Sequence, residues 1–438
     1  MRITFLLHNA FAIGGTTRST FNLAAALSER HHVHVVSVFK DRTRPRLELP
    51  PAITLTALVD RRSSSPDSAD PRIHQAGSYF PRGDSRRRQY HQLAEERLLA
   101  WFATCSTDVI ISTRAGLNVM LARFGPTSAV RIGQEHLVHD SLRHCLRRAM
   151  QRWYPALDAV VAMTQADAAA YRSGLHLQQP SIRALPNSIP APHRAGTART
   201  SKIVMAAGRL TRVKRYDMLI EAFTRVSPQR PDWQLRIYGS GPSRIFLQAE
   251  IDRRNMAEHI QLMGPATPLA PKWDEASIAA VTSAQESFGM TLVEAMGHGL
   301  PVVSTDCPHG PREIIRHGID GRLVPRDDIA ALSRALAQLM DDQPMRETMG
   351  QAARARAQAC FTPKQVAGRY EELLTDLQRH FPADTQTGRR DLLSPLYVGR
   401  ATLGITARGA YRRLRRYLHA AHALTQNTHT SVRDPHAR

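Results

Sequence analysis

Ser283-Ala-Gln-Glu286-Ser-Phe288-Gly289-Met290-Thr-Leu-Val-Glu294-Ala-Met-Gly297-His298-Gly299-Leu-Pro301-Val-Val-Ser304-Thr-Asp306 is the run whose reading decides the fold. An apolar strand, Ile278–Thr282, ends just before it. A loop then carries Glu286, and Gly289 permits an exposed helix N-terminus. A helix is predicted over 290–297, and Pro301–Ser304 reads as the next strand. Glu294 lies in the first turns of that helix, facing back toward the loop. Free helix N–H groups would therefore stand beside two carboxylates. Such N–H groups suit phosphate or sugar oxygens, and a carboxylate suits a ribose diol. The alternative makes both glutamates cap and surface residues.

Working outward, the same strand–helix alternation fills the chain. Residues 2–7, 33–38, 53–58, 108–112, 129–132 and 159–163 read as strands of a first parallel sheet, with a helix over 18–29. Residues 202–207, 234–238, 260–263, 278–282, 301–304 and 322–324 read as a second, with a helix over 214–226. Strands separated by helices mean βαβ units, so the class is α/β with two parallel-sheet domains. Pro190–Thr200, rich in Pro, Ala, Gly and Thr, reads as the linker between them. The boundaries are 1–189, a linker at 190–200, and 201–361. A helix over 362–381 follows, with Thr362 as N-cap and Pro363 in its first turn. Residues 60–88, rich in Ser, Pro, Asp and Arg, read as a polar loop.

The chain has 438 residues, 42% of them apolar, enough for ordinary cores and too many for a disordered chain. Four cysteines lie far apart and read as buried free thiols in a reducing compartment. No apolar run is long enough to span a membrane, and Met1–Leu7 reads as a strand rather than a signal peptide. A cytoplasmic protein is expected. Lys plus Arg is 59 against 38 Asp plus Glu, a net +21. That balance attracts nucleic acid, acidic lipid or a polyanionic substrate, or marks only a solubility signature. Residues 382–438 form a basic tail with ten Arg and three Asp. Within it, 410–424 has helical amphipathicity, with Arg412, Arg413, Arg415 and Arg416 opposite an apolar side. Such a helix can lie on an anionic membrane surface or dock on its own protein.

Three further pieces sit where parallel strands end, the edge at which α/β sheets bind ligands. Gly14-Gly15 follows the first strand and is a tight turn or a ligand loop. Gly208-Arg209-Leu210, with Lys214 close behind, offers two cations that can clamp a diphosphate, or is surface charge. Tyr238-Gly239-Ser240-Gly241 is a turn first and a ligand loop second. No P-loop and no Asp-x-Asp pair is present.

Glu286-x7-Glu294, continuing into Glu294-Ala-Met-Gly-His-Gly-Leu-Pro-Val-Val-Ser-Thr-Asp306, resembles the signature of the family-4 retaining glycosyltransferases of the GT-B fold (glycosyl transferases group 1). Gly14-Gly15, Gly208-Arg209-Leu210 with Lys214, and Pro186-Asn187-Ser188-Ile189 resemble other segments of that family, in order, over about residues 1–380. Ser188 departs from the family's glycine. The resemblance implies two Rossmann-like domains facing across a cleft, with the acceptor in the first and the nucleotide sugar in the second. It implies that Arg209, Lys214 and Gly15 hold the donor diphosphate and that Glu294 binds the nucleotide ribose. Glu286 and His136 would act at the reacting sugar, with backbone N–H groups of Phe288, Gly289 and Met290 on its hydroxyls. Gly239 and Gly264 would border the nucleobase, and the 362–381 helix would cross back to the first domain. Asp306–Glu313 resembles members acting on cell-surface polymers.

The function expected is transfer of a sugar, with retained configuration, from a nucleotide-diphosphate sugar. UDP is the first choice of carrier and GDP the next. The acceptor would be anionic or lipid-linked, with no cofactor and no metal, since Arg209 and Lys214 supply positive charge. A cytoplasmic enzyme peripheral to the inner face of the plasma membrane fits the basic tail. The rivals are a nucleic-acid- or membrane-binding protein on a non-catalytic GT-B scaffold, and a sugar-nucleotide epimerase. Nucleic acid is disfavoured because the basic segments lack interleaved aromatics.

Overall fold

The computed structural model describes residues 1–176, 181–190 and 200–380. Most of the linker and all of the 382–438 tail, with its amphipathic 410–424 stretch, lie outside the described residues. Among the described residues no helix is long and apolar enough to cross a membrane.

The first sheet holds β1 (Arg2–Leu7), β2 (His32–Lys40), β3 (Thr54–Asp60), β4 (Val109–Ser112), β5 (Val130–Glu135), β6 (Ala159–Ala162) and β7 (Ser181–Ala184). Their order is β3-β2-β1-β4-β5-β6-β7 and every pairing is parallel. Helices α1 (Gly15–Ser28), α2 (Gln92–Thr104), α3 (Ala115–Phe124), α4 (His144–Trp153) and α5 (Gln165–Leu175) connect them. The second sheet holds β8 (Ile203–Ala207), β9 (Gln234–Tyr238), β10 (Ile260–Gly264), β11 (Ile278–Val281), β12 (Val302–Thr305) and β13 (Gly321–Val324). Its order is β10-β9-β8-β11-β12-β13, again all parallel. Its helices are α6 (Tyr216–Val226), α7 (Arg244–Arg253), α8 (Ala270–Asp274), α9 (Met290–Gly297), α10 (Pro311–Ile314), α11 (Ile329–Asp341) and α12 (Gln343–Cys360). In both sheets the order reverses beside the first strand, which leaves a crevice at the carboxyl edge.

Helix α13 (Pro363–His380) follows the second domain and lies on the first. Its Glu371 pairs with Arg30 and lies 3.1 Å from His31 Nε2 at the end of α1. Its buried Tyr370 hydroxyl bonds the Gln134 amide at the end of β5. The Pro186–Ile189 segment is tied to α1 as well. Ser19 donates to Asn187, and Asn22 donates to the Ser188 carbonyl.

Several expectations need correction. Strand β5 runs on through Gln134 and Glu135, which a search for apolar runs ends too early; all six of its residues are buried. The short edge strand β7, Ser-Ile-Arg-Ala, carries no apolar run and escapes sequence reading. The cysteines are all free, but only Cys307 is buried and Cys145 is exposed.

The 60–88 stretch is not a plain polar loop. It folds into short 3-10 turns at Pro66–Ala69, Pro71–His74 and Arg87–Gln89, the first two capped by Ser65 and Asp70. Glu95 of α2 accepts the backbone N–H groups of Ser78, Tyr79 and Phe80. Phe80 is buried and stacks on Tyr90 at 3.5 Å. One aromatic pair and one buried carboxylate thus order a segment whose average composition is polar.

Candidate functional site

The carboxyl edges of the two sheets meet. Arg18, in the first turns of α1, donates to Glu294 of α9 at 2.7 Å. Gly15 faces Met290. On the neighbouring rim the N–H groups of Gln165 and Ala166, which open α5, donate to Glu313 at 2.8 and 2.7 Å.

Glu286 sits at the centre of the second domain's side. Lys214 Nζ pairs with its Oε1, and Ser283 donates to the same oxygen at 2.7 Å. Its backbone is held by the next loop: Glu286 N–H donates to the Pro308 carbonyl, and His309 N–H donates to the Glu286 carbonyl. Lys214 closes a 3-10 turn, Arg212–Lys214, and Arg215 takes a left-handed φ of 49° before α6. The chain reverses there, which returns Lys214 toward β11. Arg209 follows β8 at the same edge, is exposed, and makes no ion pair among the described residues. The structure therefore brings Lys214 to Glu286 and leaves Arg209 open.

Gly289 has a φ of 109° and caps α9 with no side chain. The N–H groups of Leu292 and Val293 turn back to the Gly289 carbonyl, so those of Met290 and Thr291 are the ones left available to a ligand. Phe288 itself is buried, its ring edge-on to Phe361 at 5.8 Å, so only its backbone can face a sugar. The Glu294 side chain is 12% exposed. Burial pushes its carboxyl up, and the Arg18 guanidinium opposes that shift. Gly239 lies so close to Gly208 that a Cβ would fall 1.8 Å from the Gly208 carbonyl oxygen. Its N–H donates to the Gly264 carbonyl at 2.8 Å, which joins the ends of β8, β9 and β10. Among the described residues no three His, Cys, Asp or Glu side chains gather as metal ligands.

On the first domain's side, His136 follows β5 directly. Its Nε2 lies 3.2 Å from Gln134 Oε1. Burial pushes the imidazole down to about 4, so the ring is neutral at physiological pH. Because the unfolded ring takes a proton below its ordinary pKa and the folded one resists, His136 costs stability as pH falls from about 6.5 toward 4. His136→Asn should therefore gain stability relative to the parent over that window and converge with it above neutrality. Urea melts across the pH series measure this. A constant difference would mean that the ring is not desolvated.

Sequence reading did not single out Arg18, Ser283 or Glu313. Arg18 and Glu294 are far apart in the chain and only the interdomain fold pairs them. Ser283 lies three residues from Glu286, a spacing that could have flagged it.

Comparison with known proteins shows the family and the fold. The description "Glycosyltransferase Family 4" matches residues 13–191, and "Glycosyl transferases group 1" matches residues 191–356. This chain belongs to glycosyltransferase family 4. It is 32% identical over 390 residues to an exopolysaccharide phosphotransferase of Streptomyces coelicolor, covering 86% of this chain and 41% of that one. It is 26% identical over 247 residues to the amylovoran biosynthesis glycosyltransferase AmsD of Erwinia amylovora, covering 55% of this chain and 68% of that one. The chain thus spans about two fifths of the Streptomyces relative's length. The S. aureus TarM structure with Fondaparinux, alpha-GlcNAc-glycerol and UDP superposes with a TM-score of 0.70 at 15% identity, covering 85% of this chain and 99% of TarM. That likeness gives the GT-B fold: two Rossmann-like domains with parallel sheets across a cleft.

Proposed function

We propose that this family-4 glycosyltransferase moves a sugar, with retained configuration, from a nucleotide-diphosphate sugar to an anionic or lipid-linked precursor of a cell-surface polysaccharide. UDP is the first choice of carrier and GDP the next. No metal is needed. The observation that carries the reading is the Lys214–Glu286 pair beside the side-chain-free start of α9. Lys214 and Arg209 place positive charge where the bond between sugar and diphosphate breaks and its electron pair passes to the leaving nucleotide. Glu294 would take the ribose diol and give up Arg18, which holds it now. Neutral His136 approaches from the first domain and can hydrogen-bond the sugar without adding charge. The acceptor hydroxyl attacks the same face, and its proton passes to the departing phosphate oxygen. The exopolysaccharide and amylovoran relatives support the acceptor class, and UDP bound in TarM supports the carrier.

A thermal-shift series on the full chain with UDP, GDP, ADP and CDP tests this. A nucleotide at 100 times its dissociation constant should stabilise by about 2.7 kcal/mol. A selective shift with UDP, followed by UDP release from a UDP-sugar in the presence of a phosphate-rich glycan, is the expected result. No shift with any nucleotide, alongside tight binding of RNA or anionic vesicles, would make the protein a basic binding protein on the same scaffold.

A further inference from the structure

Directly before His136 stands a carboxylate that the transfer reaction itself does not use. Glu135 ends β5 and is 2% exposed. Its Oε1 accepts the Asn118 amide at 2.7 Å and the Tyr154 hydroxyl. Its Oε2 lies 3.2 Å from the Tyr171 hydroxyl oxygen. That same hydroxyl lies 2.8 Å from the carbonyl oxygen of Leu137, the residue after His136. The Asn118 amide also reaches the Gln134 carbonyl at 2.9 Å, so both sides of the strand end are held.

The proton count is the decisive point. A tyrosine hydroxyl has one hydrogen to give. If Glu135 is ionised, Oε2 and the Leu137 carbonyl compete for the Tyr171 hydrogen. If Oε2 carries a proton, that proton goes to the Tyr171 oxygen, and the Tyr171 hydrogen goes wholly to Leu137. Both Glu135 oxygens, the Tyr171 hydroxyl and the Leu137 carbonyl are then satisfied, as buried networks require. The charges facing the site agree. Asp84, on the segment before α2, disfavours a negative charge on Glu135; Asp167 on α5 is itself pushed up to about 7, chiefly by burial, and it and Glu135 each disfavour ionisation of the other. Arg114 of the α3 start is paired to Asp84. The remaining titratable neighbours are Tyr154, Tyr171 and the His139 ring, which sits edge-on to Tyr171 at 5.2 Å. Burial pushes the Glu135 carboxyl up to about 7, against the pull of the three hydrogen bonds.

We propose that Glu135 is a positioning residue for His136, acting through Tyr171, and that its protonated carboxyl is the form that fixes the 136–138 loop in the active geometry. The proposal rests on His136 working at the donor sugar as described above. It assigns the reaction an alkaline limb that belongs to a residue touching no substrate.

Two variants test it. Glu135→Gln is isosteric and permanently neutral, and its amide can donate to the Tyr171 oxygen. Tyr171→Phe keeps the ring against His139 and removes the hydroxyl. The parent's kcat should fall about tenfold between roughly pH 6 and pH 8. Glu135→Gln should hold its acidic-side kcat across that range. Tyr171→Phe should run at about a tenth of the parent's kcat at pH 6, with an unchanged UDP-induced thermal shift. An alkaline limb that persists in Glu135→Gln, or full turnover in Tyr171→Phe, overturns the proposal. The His136 ring resonance, assigned by its loss in His136→Asn, gives a readout that needs no turnover. With the ring itself neutral throughout, its chemical shift should follow the Glu135 proton near neutrality in the parent and not in Glu135→Gln. If the parent transfers no sugar yet this titration is present, the functional reading fails and the positioning network stands. If the resonance is flat in the parent, the network fails.

Discussion

Lys214→Ala is expected to lower kcat/KM for the nucleotide sugar by about 100- to 1,000-fold, the loss typical when one preorganised donor to a developing anion is removed. The argument is electrostatic. Lys214 is 21% exposed and Glu286 12%, so both sit partly out of water where charge interactions are stronger. In the parent they neutralise one another at the place the proposed diphosphate would occupy. Without the ammonium, Glu286 keeps, among the described residues, only the Ser283 hydroxyl at 2.7 Å, and would present an uncompensated negative charge to an incoming dianion. The variant therefore loses an attraction and gains a repulsion. The fold should tolerate the change at a cost of roughly 1–3 kcal/mol, because the largely buried Glu286 carboxylate loses its partner but keeps some access to water. Initial rates of nucleotide release, with a thermal melt of the same sample, give the answer. A rate constant within about threefold of the parent would remove Lys214 from the diphosphate clamp. Lys214→Arg separates charge from shape: it keeps the cation and should recover part of the rate only if the longer guanidinium still reaches Glu286.

The loop and helix that carry Glu286 and Glu294 are legible in the sequence because those residues follow one another along the chain, whereas Lys214 and His136 come from elsewhere in it. Helix α9 was predicted over 290–297 and spans those same residues. Gly289 and the Gly297-His298-Gly299 run punctuate an apolar core of Leu292, Val293, Ala295 and Met296. The buried parallel strands were legible for the same reason, since apolar runs between turn residues have few other uses. What escaped reading is tertiary. Arg18 meets Glu294 only when two domains close on one another. Glu135 was not singled out from the sequence, and its burial is set by tyrosines on two other elements and an asparagine on a third. Strand β5 continues through polar residues because their partners, Tyr370 and Tyr154, arrive from elsewhere in the chain. The 60–88 segment was misread because composition averages over the few residues that order it.

Asp84 is the residue on which that misreading can be measured. Its side chain is 2% exposed, deep in a segment that looks solvent-loving by composition. It takes Arg114 Nε at 2.9 Å on both oxygens, the Gly116 N–H at 3.1 Å and the Arg86 N–H at 2.8 Å. Helix α3 begins without a side-chain cap of its own, so Asp84 caps it from outside. Asp84→Ala should therefore destabilise the first domain by about 3–5 kcal/mol, because it leaves the mostly buried Arg114 guanidinium uncompensated. At about 2–4 °C per kcal/mol for a domain of this size, the melt should move down by roughly 6–20 °C. The double variant Asp84→Ala with Arg114→Met should recover part of that loss, since the stranded charge is gone while the aliphatic volume remains. A single variant that melts within a degree or two of the parent would mean that the 60–88 segment is not coupled to the sheet. A double variant less stable than the single would mean that the cost lies in the lost helix cap and the backbone N–H bonds rather than in the unpaired arginine.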